Sequence, residues 1–308
     1  MTEKITVQKK PRRRMLQVLH FNFYDVFVLL FCLLFALICV YPMWYVLVAS
    51  VTPYEEFVKG GILLWPKGFD IQYYKAIFTT SSFLNSLWIS VSKTLLATLL
   101  SVLVTSAMAY GVSKSHIKGM KVINALVVFN LFFAGGLIPQ YILYKDLGLI
   151  RSYWVMVIPG VLNITYFIIM RNYYAYSVPK ALEEAALLDG CTEVGTYFRV
   201  VIPISMGMLS AISLFIAVIN WNDYYNYMMF IGNKTELQPF AWILRRMLVD
   251  QTMMNQVRKG AVSAANTLPP PMALRMATII CAMVPILCVY PFLQRFFTKG
   301  VTLGAVKE

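Results

Sequence analysis

The chain has 308 residues, of which 59% are hydrophobic and 13% are charged, and its mean hydropathy is +0.66. A soluble domain carries about 25% charged residues, so this composition excludes a water-soluble enzyme, a disordered segment and a nucleic-acid-binding domain. The net charge of +13 is typical of loops that orient a membrane protein, and it does not require a polyanionic ligand.

Six apolar stretches are long enough to cross a bilayer as helices, which takes roughly 20 residues each. They cover residues 26–50, 83–110, 122–144, 153–173, 206–231 and 273–297. The first is too long for a signal peptide and no cleavage site follows it. The sequence therefore predicts an all-α membrane protein with six transmembrane helices over 26–297, between tails over 1–25 and 298–308.

Positive charge is concentrated before the first span, where residues 1–25 hold six Lys and Arg side chains. The following loop, 51–82, holds three lysines that are balanced by three carboxylates. The positive-inside rule therefore places the N-terminus in the cytoplasm, and six spans return the C-terminus to the same side. The cytoplasmic loops are then 111–121 and 174–205, and the external loops are 51–82, 145–152 and 232–272, although the last of these is also rich in Lys and Arg.

The loop over 177–203 has the pattern of a helix, a glycine turn and a second helix. Ser177 is expected to cap the first helix, and Pro179 lies near its first turn, as at many helix starts. Gly190 can adopt the left-handed conformation that ends a helix, and Thr192 can cap the helix that follows. Two adjacent alanines would let another protein approach the first helix closely, with leucines adding apolar contact and acidic residues adding charge. A solvated amphipathic connector is the alternative.

Charged side chains inside spans are costly and usually functional, and the sequence offers Lys93 in the second span and Asp223 in the fifth. Lys93 could extend to the membrane surface or pair with a neighbouring chain. Asp223 belongs to a polar and aromatic run that also includes Asn220, Trp221, Asn222, Tyr225 and Asn226.

Aromatic faces and amide or carboxylate groups are the chemistry that binds sugars, so we predict that this run lines a sugar path. Asn222 and Asn226 are four residues apart in the predicted span and therefore share a helix face, with Tyr225 adjacent. The alternative is an aromatic belt at the membrane interface, with the asparagines bonded to neighbouring helices.

The external loop 232–272 contains apolar residues at helical spacing from Phe240 to Leu248, with Arg245 and Arg246 on the other face. This spacing predicts a helix over 240–250. It would lie on the membrane surface or contact a partner protein.

One motif resembles a known family. The run Glu184-Ala185-Ala186, then Gly190 after three residues and Pro203 at the end of VVIP, resembles the EAA loop of ABC-importer permeases. Val200 and Ile202 stand where that pattern prefers Ile and Leu, and Cys191 follows the glycine where alanine is frequent. The stretches 64–78, 132–150, 155–160, 220–223 and 290–308 also look like the carbohydrate-importer branch, and specifically like the maltose-type second permease and a subgroup associated with complex oligosaccharides.

The resemblance implies a type I ABC importer permease fold and a chain that forms half of a translocation pore. It implies docking of an ATPase on Leu182, Glu183, Glu184, Ala185, Ala186, Leu187, Asp189, Gly190 and Pro203. It also implies that the external helix contacts a solute-binding protein through Phe240, Trp242, Arg245 and Arg246. The implied partners are a second permease in a heterodimer, two ABC ATPase subunits, an extracytoplasmic binding protein, carbohydrate and the lipid of a bacterial cell membrane.

The sequence contains no G-x-x-x-x-G-K-[ST] phosphate loop, so we expect no cofactor in this chain and expect ATP and Mg²⁺ on the partner ATPase subunits. A stand-alone ion-coupled secondary sugar carrier is the alternative function. It would have Asp223 alone as an intramembrane coupling group, and it leaves the loop 177–203 unexplained. A membrane-embedded enzyme would need a cluster of His, Asp and Glu or a nucleophile, so we predict neither catalytic residues nor a metal site.

Overall fold

The computed structural model describes residues 23–60, 63–114, 117–133, 135–250, 255 and 271–304, with the side chains of 292–304 excepted. Most of the predicted tail over 1–25 and the last four residues of the predicted tail over 298–308 lie outside the described residues. The predicted all-α fold is confirmed, since the described elements are helices and helical turns without a strand among them.

The described helices are α1 (Phe23–Val51), α2 (Tyr54–Val58), α3 (Gln72–Thr79), α4 (Ser81–Ser113), α5 (Met120–Phe132), α6 (Leu137–Asp146), α7 (Ile164–Tyr176), α8 (Lys180–Leu188), α9 (Glu193–Thr196), α10 (Ile202–Ile204), α11 (Met206–Asn222), α12 (Tyr225–Phe230), α13 (Phe240–Val249) and α14 (Pro271–Gly304). A π-helical turn, Tyr197–Val201, joins α9 to α10. Two 3₁₀ turns lie at Tyr153–Met156 and Thr235–Leu237.

Three of the described helices are long and apolar enough to cross a membrane, namely α1, α4 and the part of α14 up to Pro291. A fourth crossing results if the segments Glu193–Ile204 and Met206–Asn222 form one span, although they meet at an angle of 81°. The other stretches that the sequence predicts as spans consist of shorter helices separated by breaks.

Glycine and proline account for two of these breaks. The stretch 122–144 is predicted as one helix, but α5 and α6 are separated at Gly136, whose φ of 84° and ψ of 172° are accessible almost only to glycine. In the stretch 153–173, a 3₁₀ turn is followed by Pro159 and Gly160, and α7 begins only at Ile164. Neither of these two predicted spans is therefore one continuous helix.

The chain divides into two compact units, one up to Tyr45 and one from Val46 onward. The described part of the first unit is helical. In the second unit, α4 packs along α7 and α11, and α11 packs along α14. The buried face of α4 is rich in small polar side chains, including Ser86, Ser90 and Ser101, which allow neighbouring helices to approach closely. α4 is thus the central helix of this unit.

Candidate functional site

The first helix predicted in the loop 177–203 is α8, and it ends at the predicted glycine. Gly190 has a φ of 85°, and its N–H donates to the Leu187 carbonyl at 3.1 Å, so it closes the helix. The predicted start is wrong. Ser177 continues the hydrogen bonding of α7, because its N–H donates to the Tyr173 carbonyl at 2.8 Å, and Pro179 directly precedes α8.

The second helix of the loop begins as predicted, because the Thr192 hydroxyl accepts a hydrogen bond from the Gly195 N–H at 3.1 Å. The chain then passes through the π-helical turn and α10, where Pro203 occupies the first turn, and bends into α11. The loop is therefore a chain of short helices that connects α7 to α11.

Two of the predicted docking residues face the interior of this chain. Glu183 and Ala186 are three residues apart on one face of α8 and are only 5% and 8% exposed, so in this structure they are not available to a partner. The positions between and beyond them are exposed. They are Leu182, Glu184, Ala185, Leu187, Leu188 and Asp189, and we call this exposed surface the docking face.

Glu183 is held by two residues at the end of α4. Its Oε2 accepts a hydrogen bond from the Tyr110 hydroxyl at 2.9 Å and forms an ion pair with the Lys114 ammonium group. The Lys114 Nζ also lies 4.8 Å from the centroid of the Tyr110 ring, which is close enough for a cation–π contact. We call Tyr110, Lys114 and Glu183 the Glu183 clamp.

A hydroxyl cluster lies directly beside the clamp. Ser106 Oγ is 2.6 Å from the Tyr174 hydroxyl and 2.7 Å from the Tyr197 hydroxyl, and the Tyr197 ring stacks on Tyr110 with centroids 5.0 Å apart. These contacts connect α4 and α7 to the loop 177–203.

The predicted span over 206–231 is broken at Asp223 and Tyr224. Asp223 Oδ1 accepts hydrogen bonds from the N–H groups of Tyr225 and Asn226, at 3.0 and 3.3 Å, and Oδ2 accepts one from Asn226 Nδ2 at 3.0 Å. The carboxylate thus satisfies the N–H groups that open α12. Because Asn222 ends α11 and Asn226 lies in α12, the prediction that they share a helix face is wrong.

The two intramembrane charges that the sequence singles out pair with each other. Lys93 Nζ donates to the Asp223 carbonyl at 2.5 Å and lies 3.5 Å from Asp223 Oδ2. Lys93 is 1% exposed. It therefore neither extends to the membrane surface nor projects towards a neighbouring chain, which are the two arrangements that the sequence suggests. A buried lysine that is paired with a carboxylate and hydrogen-bonded costs far less free energy than an isolated one.

Three other residues of the predicted sugar path are bonded within the fold. Trp221 is buried, and its Nε1 donates to the Ala282 carbonyl of α14 at 3.1 Å. The side chains of Asn220 and Asn222 donate to carbonyls one turn earlier in α11, at 2.9 and 3.0 Å. These bonds stabilise the end of α11.

Tyr225 is exposed and lines a cavity of about 520 Å³. The same cavity is bordered by the break between α5 and α6, at Gly135 and Gly136, and by Gln140, whose Nε2 donates to the Tyr144 hydroxyl at 2.6 Å. An aromatic ring, an amide and a hydroxyl thus meet at one opening. The sequence pattern did not identify Gln140 or Tyr144, because they lie far from the polar run along the chain.

The predicted external helix is α13, but its apolar face packs in the core of this chain, whereas the sequence predicts contact with the membrane surface or a partner protein. Phe240, Ile243 and Met247 lie in the core, so Phe240 is not available for the predicted contact with a binding protein. The Trp242 ring stacks on the Tyr224 ring, with 6.4 Å between the two centroids, so it also contacts a residue of this chain.

The two arginines of α13 differ in their surroundings. Arg246 pairs with Asp250 at 3.1 Å. Arg245 is exposed, donates to the Tyr224 hydroxyl at 2.8 Å and lies 4.5 Å from the centroid of that ring. Among the residues predicted to contact a binding protein, Arg245 is therefore the one that α13 exposes on the protein surface. Among the residues that the structure describes, no group of His, Cys, Asp and Glu could hold a metal ion.

Comparison with known proteins agrees with this architecture. Residues 120–303 match the family described as binding-protein-dependent transport system inner membrane component. The chain is 37% identical over 286 residues to the polygalacturonan/rhamnogalacturonan transport system permease protein YtcP of Bacillus subtilis (strain 168), covering 92% of this chain and 98% of that protein. It is 35% identical over 270 residues to protein LplC of the same organism, covering 88% and 90%.

Among solved structures, the chain is similar to a crystal structure of a bacterial ABC transporter involved in the import of the acidic polysaccharide alginate. The TM-score is 0.80 at 26% sequence identity, and the match covers 90% of this chain and 99% of the other. The predicted fold of an ABC-importer permease is thereby confirmed. The chain belongs to the family of binding-protein-dependent transport system inner membrane components.

Proposed function

We propose that the chain is a permease subunit of an ATP-driven importer of oligosaccharides or polysaccharide fragments, and that it forms half of the translocation pore. The observation that carries this proposal is α8, a short helix with an exposed docking face that is attached through Glu183 to the membrane-spanning helix α4. The sugar class is supported by the relatives, since one is named for polygalacturonan and rhamnogalacturonan and a similar transporter imports alginate.

In this proposal the chain is a non-catalytic subunit, and ATP and Mg²⁺ bind to two separate ATPase subunits. The docking face supports the assignment of α8 as their contact, because Leu182 and Leu188 are 46% and 89% exposed on a short, charged helix. Apolar side chains exposed together in this way are typical of a protein–protein contact. Glu184 and Asp189 flank them, and Gly190 and Pro203 are also exposed.

The orientation follows from the charge distribution. The six basic residues within 1–25 support a cytoplasmic N-terminus in a bacterial cell, and the six predicted spans return the C-terminus to the same side. In this orientation α8 lies on the side where ATP is available and α13 lies outside. The pore is completed by a second, homologous permease in a heterodimer. An extracytoplasmic solute-binding protein delivers the sugar.

The sugar path passes the cavity at Tyr225. Its ring offers a face for the C–H surface of a sugar, and Gln140 offers an amide for hydroxyl groups. Asp223 and Asn226 act here by holding the helix break that aims Tyr225, since their polar atoms are bonded to each other. Arg245, exposed on α13, is the residue that meets the binding protein.

Reconstitution tests the docking assignment. The chain is assembled with its second permease, ATPase subunits and binding protein in liposomes, and uptake of oligogalacturonides, alginate oligosaccharides and arabino-oligosaccharides is measured. We expect Glu184→Lys, which reverses a charge on the docking face, to abolish co-purification of the ATPase subunits and sugar uptake without affecting membrane insertion. Gly190→Pro should act in the same way, because proline cannot adopt a φ of 85°.

Glu55→Lys is the matched control, since Glu55 is an exposed carboxylate in a different loop and its reversal should leave both measurements unchanged. Co-purification that survives Glu184→Lys would disprove the docking assignment. Absence of uptake for all three sugars by the intact complex would disprove the sugar class.

The same liposomes test the outer contact. We expect Arg245→Glu to keep the complex assembled but to lower the stimulation of ATP hydrolysis by the binding protein. Lys67→Glu, an exposed charge reversal in the loop 51–82, is the control. Equal stimulation in the two variants would show that the binding protein does not use Arg245.

A further inference from the structure

We propose that Glu183 is a positioning residue that couples α8 to α4, so that a displacement of the docking face is transmitted along α4 to the Lys93–Asp223 pair. This inference rests on the proposed function, in which an ATPase moves α8. It assigns to Glu183 an internal role in place of the direct docking contact that the motif implies.

The connections of α8 along the chain are short and non-helical. Before α8 lie the three residues 177–179, and after it the chain turns at Gly190 before α9 begins. Apolar packing of Val178 and Ala186 holds α8 against the core. A polar side chain that joins α8 to a larger element adds a directional attachment to this packing.

The Glu183 clamp supplies that attachment. Glu183 is buried, and one of its carboxylate oxygens, Oε2, is bonded to both Tyr110 and Lys114. Tyr110 in turn stacks on Tyr197 in the π-helical turn. Hydrogen bonds that involve an ionised group are the stronger kind, and these two converge on the same end of α4.

α4 then reaches the helix break in the fifth span. It is continuous from Ser81 to Ser113, and Lys93 and Tyr110 are separated along its axis by about 26 Å at 1.5 Å per residue. Lys93 is bonded to Asp223, whose carboxylate opens α12 and so sets the direction of Tyr225. One continuous helix therefore has a buried ionic contact to α8 at its C-terminal end and, about 26 Å away along its axis, the ionic contact of the buried Lys93 to Asp223.

The test uses the complete complex, with the ATP hydrolysis rate measured in the presence and absence of the binding protein loaded with an oligogalacturonide. We expect Glu183→Gln to keep the ATPase subunits bound, because the docking face is intact, and to lower the stimulation ratio by about ten-fold, a coupling change typical of linked sites. Tyr110→Phe removes one hydrogen bond and keeps the ring, so it should fold normally and show a smaller decrease in the same ratio.

The charge-reversed pair Glu183→Lys with Lys114→Glu should restore part of the stimulation that Glu183→Lys alone removes. Glu55→Gln is the matched control, because it makes the same chemical change at an exposed position away from the Glu183 clamp. A wild-type stimulation ratio in both Glu183→Gln and Tyr110→Phe would overturn the proposal. Loss of the ATPase subunits from Glu183→Gln would also overturn the proposal, because it would show that Glu183 docks directly. ATPase subunits that stay bound to Glu184→Lys would instead count against the docking assignment alone.

Discussion

At the scale of single residues, the buried Lys93 pairs with Asp223, whose side chain is 15% exposed, although the two are far apart in the sequence. Lys93→Met leaves the Asp223 carboxylate without its counter-ion but with its hydrogen bonds to Tyr225 and Asn226. We therefore expect this variant to lower the free energy of unfolding in detergent by about 1–3 kcal/mol. The double variant Lys93→Met with Asp223→Asn should be less destabilised than Lys93→Met alone, since no unpaired charge is left.

Lys59 provides the control for this measurement. It pairs with Glu56 on the surface, with its side chain 65% exposed, and exposed pairs contribute about 0–1 kcal/mol. Lys59→Met should therefore change the unfolding free energy little. If both lysine variants are equally stable, the buried pair does not have the strength that its geometry implies.

Tyr225 carries the second prediction at this scale. Because its exposed ring lines the cavity beside Gln140, Tyr225→Ala should reduce oligosaccharide uptake while the complex still assembles, and Tyr225→Phe should retain most of it. Uptake by proteoliposomes and co-purification of the subunits are the measurements. Tyr24→Ala, at an exposed tyrosine near the start of α1, should transport normally. Wild-type uptake in Tyr225→Ala would remove this cavity from the path.

At the scale of elements, the helix ends that depend on a few neighbouring residues can be predicted from the sequence. Gly190 and Thr192 act within a few residues of their own position, so the end of α8 and the start of α9 could be predicted. The sequence predicts that the polar run in the fifth span lies on one helix, whereas the structure divides it between α11 and α12. Its asparagines and Asp223 bond to helix ends and to a buried lysine 130 residues away, which the sequence does not indicate.

The Glu183 clamp could not be predicted for the same reason. Tyr110 and Lys114 are four residues apart and therefore share a helix face, but nothing in the sequence connects that face to Glu183, which follows 69 residues after Lys114. The motif in the loop draws attention to exposed docking residues. Which face of α8 is buried depends on how α4 and α7 pack.

The break between α5 and α6 gives a prediction for an element. Gly136 has a positive φ that an alanine would adopt only with strain, whereas Gly135 does not, and a Cβ atom would have room at both positions. We expect Gly136→Ala to destabilise the protein by about 1–3 kcal/mol and Gly135→Ala to be tolerated. Thermal unfolding of the two variants in detergent makes the comparison. Equal midpoints would mean that the break does not depend on the conformation of Gly136.

At the scale of the whole molecule, the contacts of Asp223 bear on the alternative of an ion-coupled carrier. Such a carrier needs an acidic group that gains and loses a proton or sodium ion during transport. Asp223 is engaged by Lys93, by Asn226 and by two backbone N–H groups. We therefore expect the chain alone, in liposomes with a proton or sodium gradient, to show no uptake of oligogalacturonides, alginate oligosaccharides or arabino-oligosaccharides. Gradient-driven uptake by the isolated chain would establish the carrier instead.

The pairing of Lys93 with Asp223 also constrains how the protein is made. A ribosome adds about 5–20 residues per second, so Asp223 is synthesised roughly 7–26 seconds after Lys93. During this interval the second span carries a lysine without its counter-ion. That span should therefore stay bound to the insertion machinery until it can enter the lipid together with the fifth span. A nascent chain truncated before Asp223 should be a preferred target of membrane quality control.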